Sequence, residues 1–117
     1  MFIQRRGTSS RYADSVTHAG TVYLVEVPTC LDPDIRAQMT SLLANIDHLL
    51  AEAGSDRSHL LMVTIYLADM ADYDGMNAIW DAWLANGHAP ARACIEARLA
   101  KPEYRVEIVL TAAVAGG

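Results

Sequence analysis

The chain has 117 residues, 52% of them hydrophobic, and a formal net charge of −5. That length suits a single domain spanning residues 1–117. The acidic balance, with no Lys/Arg cluster beyond the Arg5-Arg6 pair, argues against nucleic-acid binding, and no apolar run approaches the roughly 18 residues of a membrane span.

The N-terminal Met1-Phe2-Ile3-Gln4-Arg5-Arg6 lacks the apolar core of a signal peptide. Phe2-Ile3-Gln4 reads as a short first strand, and residues 7–11 as a polar loop. Ser15 to His18 and Thr21 to Val27 are β-rich. With Ala19-Gly20 between them they predict a tight hairpin. Next comes a helix. Asp32 is the expected N-cap, Pro33 suits the first helical position, and Asp34 suits the positive end of the dipole. Apolar residues recur at Ile35, Met39, Leu42, Leu43, Ile46, Leu49, Leu50 and Ala53, one face of a 3.6-residue period, before Gly54 stops the helix.

Leu60 to Ala68 is apolar on both parities and predicts a central strand buried on both faces. Asp72 should cap a second helix with Tyr73, Met76, Ile79, Trp80 and Trp83 in one stripe, ending near Asn86-Gly87, with Pro90 preventing continuation. Residues 92–98 alternate, with Arg92, Cys94, Glu96 and Arg98 on one face. Residues 105–114 alternate too, with Val106, Ile108, Leu110, Ala112 and Val114 on one face. The order β-β-β-α-β-α-β-β predicts an α+β domain, with two helices on one face of a mixed sheet. The other face then lacks a cover within the chain. A domain this small also leaves apolar surface exposed, so self-association is expected.

Gly-rich phosphate loops, His-Glu-x-x-His, Cys-x-x-Cys and Gly-x-Ser-x-Gly motifs are all missing. His18, His48, His59 and His88 are scattered, so no metal site is expected. Cys30 and Cys94 are far apart and in no metal-type spacing, which fits a reducing, cytoplasmic compartment. The polar residues of the last two strands carry more. Arg92 opens a strand expected to be mostly buried, and Glu107 sits on an otherwise apolar one. If these strands pair, Arg92, Cys94 and Glu107 point toward one cavity or subunit boundary. There a guanidinium suits bidentate capture of a carboxylate, and a carboxylate can orient water. Equally, Arg92 and Glu107 can form a structural ion pair, and Cys94 can be a small buried hydrophobe. Asp69, Asp72 and Asp74 read as a solvated helix entry, and Trp80 and Trp83 as packing residues.

Pro90-Ala91-Arg92-Ala93-Cys94-Ile95-Glu96 followed by Val106-Glu107-Ile108 resembles the C-terminal signature of the RidA (reactive intermediate deaminase) superfamily, also called YjgF or RutC. Thr64 to Tyr73 followed by Met76-Asn77 resembles another stretch of that family, and the likeness covers roughly residues 10 to 114. Trp80-Asp81-Ala82-Trp83 and Gly87-His88-Ala89-Pro90 are similar to the YoaB-like branch. The resemblance implies a chorismate-mutase-like fold, a six-stranded mixed sheet with two helices on one face. It also implies a homotrimer with sites in the clefts between subunits. The activity it implies is cofactor-free hydrolysis of enamine and imine intermediates, such as 2-aminoacrylate, to 2-keto acids and ammonia. By the same resemblance Arg92 holds the substrate carboxylate, Cys94 lines the pocket and Glu107 places the water, while Tyr12 and Asn77 contact substrate.

The chain departs from that pattern at one place. Val25-Glu26-Val27-Pro28 stands where deaminases of the family carry Ser-Gly-Gln-x-Pro. Glu26 can pair with Arg92, repel an anionic substrate, or point to solvent from an edge. Three readings follow: a deaminase acting on an imino or keto acid, a non-catalytic trimer that binds a small metabolite, and a structural trimer whose Arg92 is self-neutralised.

Overall fold

The Ala19-Gly20 dipeptide sets the first half of the sheet. In the computed structural model, which describes residues 2–84 and 86–116, both residues take positive φ, 53° and 82°. They join β2 (Ser15–His18) to β3 (Thr21–Glu26) in a two-residue hairpin with His18 opposite Thr21. β1 (Gln4–Arg6) pairs antiparallel with β2. It starts two residues later than the sequence suggests, because β2 turns away at Ala19 and leaves Phe2 no strand to face.

The first helix also begins later. α1 runs Ile35–Glu52, and its N-cap is Asp34, whose carboxylate accepts from the Arg36 N–H at 3.0 Å. Asp32, the expected cap, instead accepts from the Asp34 N–H at 2.8 Å. That closes a turn around Pro33, which precedes the helix rather than opening it. The buried stripe matches the periodicity, from Ile35 through Met39, Leu42, Leu43 and Ile46 to Leu50. The chain leaves the helix through Gly54, with the Ser55 N–H donating back to the Leu50 carbonyl at 2.8 Å.

β4 (Leu60–Leu67), α2 (Tyr73–Trp83), β5 (Ala91–Glu96) and β6 (Val106–Ala113) complete the fold. The strand order is β1-β2-β3-β6-β4-β5. β4 lies parallel to β5 and antiparallel to β6, so the sheet is mixed and the last two strands are separated by β4 rather than paired. α2 begins where the sequence puts it, with Asp72 at the N-cap position, but the Asp72 side chain makes no capping bond. Its half-buried carboxylate accepts instead from Arg105 Nε at 2.8 Å, while Asp69 caps the preceding turn of 3-10 helix through the Ala71 N–H. Asp72 is thus part of an ion pair, not of a solvated entry. α2 stops at Trp83; the expected stretch to Asn86-Gly87 crosses residue 85, outside the described residues.

Both helices pack on one sheet face, and the molecule measures 42 × 38 × 20 Å, which leaves room for two layers. Leu60, Val63, Ile65 and Leu67 of β4 are buried beneath the helices, as are Val106, Ile108, Leu110 and Ala112 of β6. The expectation that β4 is buried on both faces does not hold within the chain. Met62 is 54% exposed, and with Tyr23, Val25 and Ile95 it forms an open apolar face. No helix among the described residues is long and apolar enough to cross a membrane.

Candidate functional site

At the β5 edge of the sheet, the parallel register puts Arg92 opposite Val63 and Cys94 opposite Ile65, so both side chains lie on the helix-covered side. The Arg92 guanidinium reaches α2. Its Nη1 donates to Asn77 Oδ1 at 2.8 Å, and Nη2 lies 3.4 Å from Tyr73 Oη. The group also sits 5.5 Å from the centre of the Trp80 ring and 6.0 Å from that of Tyr73, within cation–π range. Tyr73, Asn77 and Trp80 follow i, i+4, i+7 spacing, so one face of α2 builds the whole cradle. All these partners are neutral. Among the described residues no carboxylate lies within ion-pair distance of Arg92. A half-buried cation with only dipoles and rings around it has the charge and the free donors to receive an anion. Burial pushes the nearby Cys94 thiol above its usual range, against the smaller opposing pull of Arg92, so it presents a neutral, weakly polar wall.

The second group lies where β3 ends and β6 begins. A cleft of about 460 Å³ is lined by Tyr12, Asp14, Val25, Glu26, Tyr104 and Glu107, with Ala13, Val27 and Ala100. Glu107 is paired in register with Tyr66, on the face opposite the buried Val106 and Ile108. Glu26 is half-buried and accepts from the Val27 N–H at 3.0 Å. Burial raises its carboxyl above the ordinary range, the Val27 bond opposes that, and the charge of Asp14 adds to it.

The site residues read from the sequence therefore form two sets within one chain. Arg92, Cys94 and Asn77 come together under α2; Tyr12, Glu26 and Glu107 come together at the cleft. The structure does not join the sets: the first lies under α2 at the β5 edge, and the second gathers at the end of β3 and the start of β6, with Glu107 on the open face and Glu26 in register with Ile108. Two readings are corrected by this. Arg92 and Glu107 form no ion pair within the chain, because β4 separates their strands. Glu26 neither pairs with Arg92 within the chain nor hangs from an edge, because β3 is an interior strand. Sequence reasoning missed Tyr73 and Trp80 as partners of Arg92, although their helical spacing with Asn77 was available. It also missed Asp14 and Tyr104, which reach the cleft from loops and leave no periodic signal.

One cluster elsewhere looks catalytic and is not. Asp56, Ser58 and His59 meet at the turn before β4, where Ser58 donates both its N–H and its hydroxyl to Asp56 Oδ1. These bonds, together with that of His59, hold the Asp56 carboxyl down at about 2. His59 Nδ1 faces both Asp56 at 2.8 Å and Ser58 at 3.0 Å. A triad needs the two ring nitrogens to serve the two partners separately, so this is a turn cap. Among the described residues, no group of three or more His, Cys, Asp or Glu side chains could hold a metal ion.

Comparison with known proteins places this geometry. A family model described as Endoribonuclease L-PSP matches residues 3–114. The RutC family protein YoaB of Escherichia coli is 45% identical over 114 residues, covering 97% of this chain and 100% of that protein. The crystal structure of a YjgF-family protein from Neisseria meningitidis superimposes with a TM-score of 0.97 at 48% identity, covering 100% of this chain and 98% of the other. The 3-aminoacrylate deaminase RutC of Acinetobacter baylyi is 33% identical over 81 residues, 69% of this chain and 64% of that protein.

Proposed function

Because this chain belongs to the family described as Endoribonuclease L-PSP, in the YoaB-like branch of the RidA/YjgF/RutC superfamily, we propose that it is a deaminase of small enamine and imine acids. It hydrolyses substrates of the 2-aminoacrylate kind to 2-keto acids and ammonia, in the cytoplasm and without a cofactor. The observation that carries this reading is Arg92: a half-buried guanidinium, fixed by Asn77 and two aromatic rings, with no carboxylate in ion-pair reach among the described residues. An α-imino acid supplies the missing carboxylate. The relative named 3-aminoacrylate deaminase supports the same class of chemistry. The family's endoribonuclease description fits less well, since a net charge of −5 and a cleft with three carboxylates oppose a phosphate backbone.

The chemistry asked of the protein is modest, because an imine already hydrolyses in water. Arg92 would hold the substrate carboxylate so that the imine carbon faces the attacking water. Glu107 would orient that water, take its proton as the C–O bond forms, and return it to the nitrogen as the C–N bond breaks and ammonia leaves. Cys94 and Tyr12 would close the sides, and Asn77 would keep the guanidinium aimed. The two sets lie apart in one chain, so the proposal includes a homotrimer in which the β5 edge of one copy completes the cleft of the next.

A second reading has one observation in its favour. Val25-Glu26-Val27 lines the cleft where deaminases of the family carry a Ser and a Gly, and a non-catalytic trimer that binds a small metabolite tolerates that change. An oxidase-coupled assay separates the two: an amino-acid oxidase generates imino acids in situ, and semicarbazide traps what survives. Wild type should lower the trapped fraction and Arg92→Ala should not. Equal trapping with wild type and with no protein, across several amino acids, would leave the binding reading.

A further inference from the structure

We propose that Glu26 is the specificity-determining residue of the cleft and selects 2-imino or 2-keto acids whose side chain ends in a positive charge on an aliphatic stem. The inference deepens the reading above and rests on it in one respect, since it takes Arg92 of a neighbouring copy as the carboxylate anchor.

The argument starts from charge. Asp14, Glu26 and Glu107 all line the cleft, and none of its lining residues is Lys, Arg or His. Water activation gives Glu107 a task, but neither Glu26 nor Asp14 is needed for it. Both are nonetheless held in place. The Val27 N–H ties one oxygen of Glu26 at 3.0 Å, so the carboxylate is fixed at the end of an interior strand rather than swinging freely into water. The main chain of Asp14 is held beside it by its own N–H, which donates to the Arg6 carbonyl at 2.9 Å. Its carboxyl lies over Gly7, where an added Cβ would overlap it. Two like charges kept together in a half-buried cleft are unfavourable until a cation arrives.

Arg92 from a neighbouring copy brings a single positive charge, and a substrate carboxylate consumes it. A substrate with an uncharged side chain therefore leaves the carboxylates of the cleft uncompensated. One that carries an ammonium or guanidinium relieves them. Tyr12, Tyr104, Val25 and Val27 flank the carboxylates with apolar surface, which suits the methylene stem of such a side chain. Discrimination then comes as much from disfavouring the neutral competitor as from attracting the cation.

The test uses two non-cyclising 2-keto acids of equal length, one ending in trimethylammonium and the other in the isosteric tert-butyl group. Binding is read by calorimetry on the full chain. Wild type should bind the cationic acid about tenfold more tightly, equivalent to about 1.4 kcal/mol. In Glu26→Gln the ratio should fall to within about twofold, and Asp14→Asn should narrow it part of the way. Should Glu26→Gln fail to fold, Asp14→Asn decides alone, and an unchanged ratio there overturns the proposal. Equal binding of the two acids by wild type, binding of neither, or a preference that survives in Glu26→Gln also overturns it. The oxidase-coupled assay is run beside this. Selective binding without turnover keeps Glu26 in its role and removes the deaminase reading. Turnover of basic and aliphatic imines alike, with equal binding, does the reverse.

Discussion

Arg92 and Glu26 are the two residues on which the proposed chemistry turns, and both are held by specific local bonds. Arg92 uses its planar fork, with one nitrogen on Asn77 and another near Tyr73. Lysine keeps the charge but cannot span those partners or grip a carboxylate with two parallel bonds. Arg92→Lys is therefore expected to lower kcat/KM, or 2-keto acid affinity, by at least about tenfold, with far-ultraviolet circular dichroism unchanged. Glu26 makes a prediction about stability and pH. Its folded carboxyl binds its proton more tightly than the ordinary value of 4.5. The fold is favoured while the group is protonated, and that contribution is lost as pH rises through the folded pKa. Glu26→Gln should thus raise the unfolding temperature at pH 7.5 and give no gain at pH 4. A gain of equal size at both values would show that burial of the charge is not the cause.

At the scale of elements, the two helices and the segment before β6 are locked by contacts that only packing creates. Gly75 of α2 approaches Ile35 of α1 so closely that an added Cβ would stand 2.8 Å from Ile35 Cγ2. Gly75→Ala gains helix propensity of about 1 kcal/mol but overpacks the joint at a cost of about 1–3 kcal/mol. The expected net effect is a lower urea midpoint with an unchanged m-value. Gln38 is fully buried. Its amide nitrogen donates to the Asp32 and Glu103 carbonyls at 2.9 and 2.8 Å, and its oxygen accepts from the Arg105 N–H at 2.8 Å. Gln38→Leu leaves three backbone groups without their partner and should destabilise by about 2 kcal/mol or more in urea titration. In the sequence Gln38 looks like an ordinary polar residue of an amphipathic helix, because its three partners come from two separate stretches of chain.

At the scale of the whole molecule, the two-layer architecture leaves Tyr23, Val25, Met62 and Ile95 in water on the open face, and a patch of that kind is a site for association. The proposed trimer predicts a mass near three times 12.7 kDa by light scattering. Met62 contributes little to the core of the single chain. Met62→Lys should therefore leave a folded protein while shifting the mass toward one copy, and should abolish imine hydrolysis with it. A mass of one copy for wild type would remove the shared site and the account of Arg92 meeting Glu107.

The sequence by itself determined the order of strands and helices and the buried face of α1 and β6, each a local property, a period or a turn dipeptide. It offered Arg92, Cys94 and Glu107 as candidates from their place on the strands, and the family resemblance added Tyr12, Asn77 and Glu26. The sequence placed the entry of α1 two residues early and gave Asp72 a capping bond that it does not make, because Asp32, Asp34, Asp69 and Asp72 are chemically equivalent as caps, and only tertiary partners such as Arg105 decide which carboxylate is free to cap. The structure alone decided that β4 lies between β5 and β6, and with that the separation of Arg92 from Glu107. Strand order depends on which apolar faces can be buried at once, an interaction between distant segments that leaves no mark at either one. The same packing brought Asp14 beside Glu26 and stacked Trp80 and Tyr73 on Arg92, turning residues that read as loop and core into the electrostatic surroundings of the site.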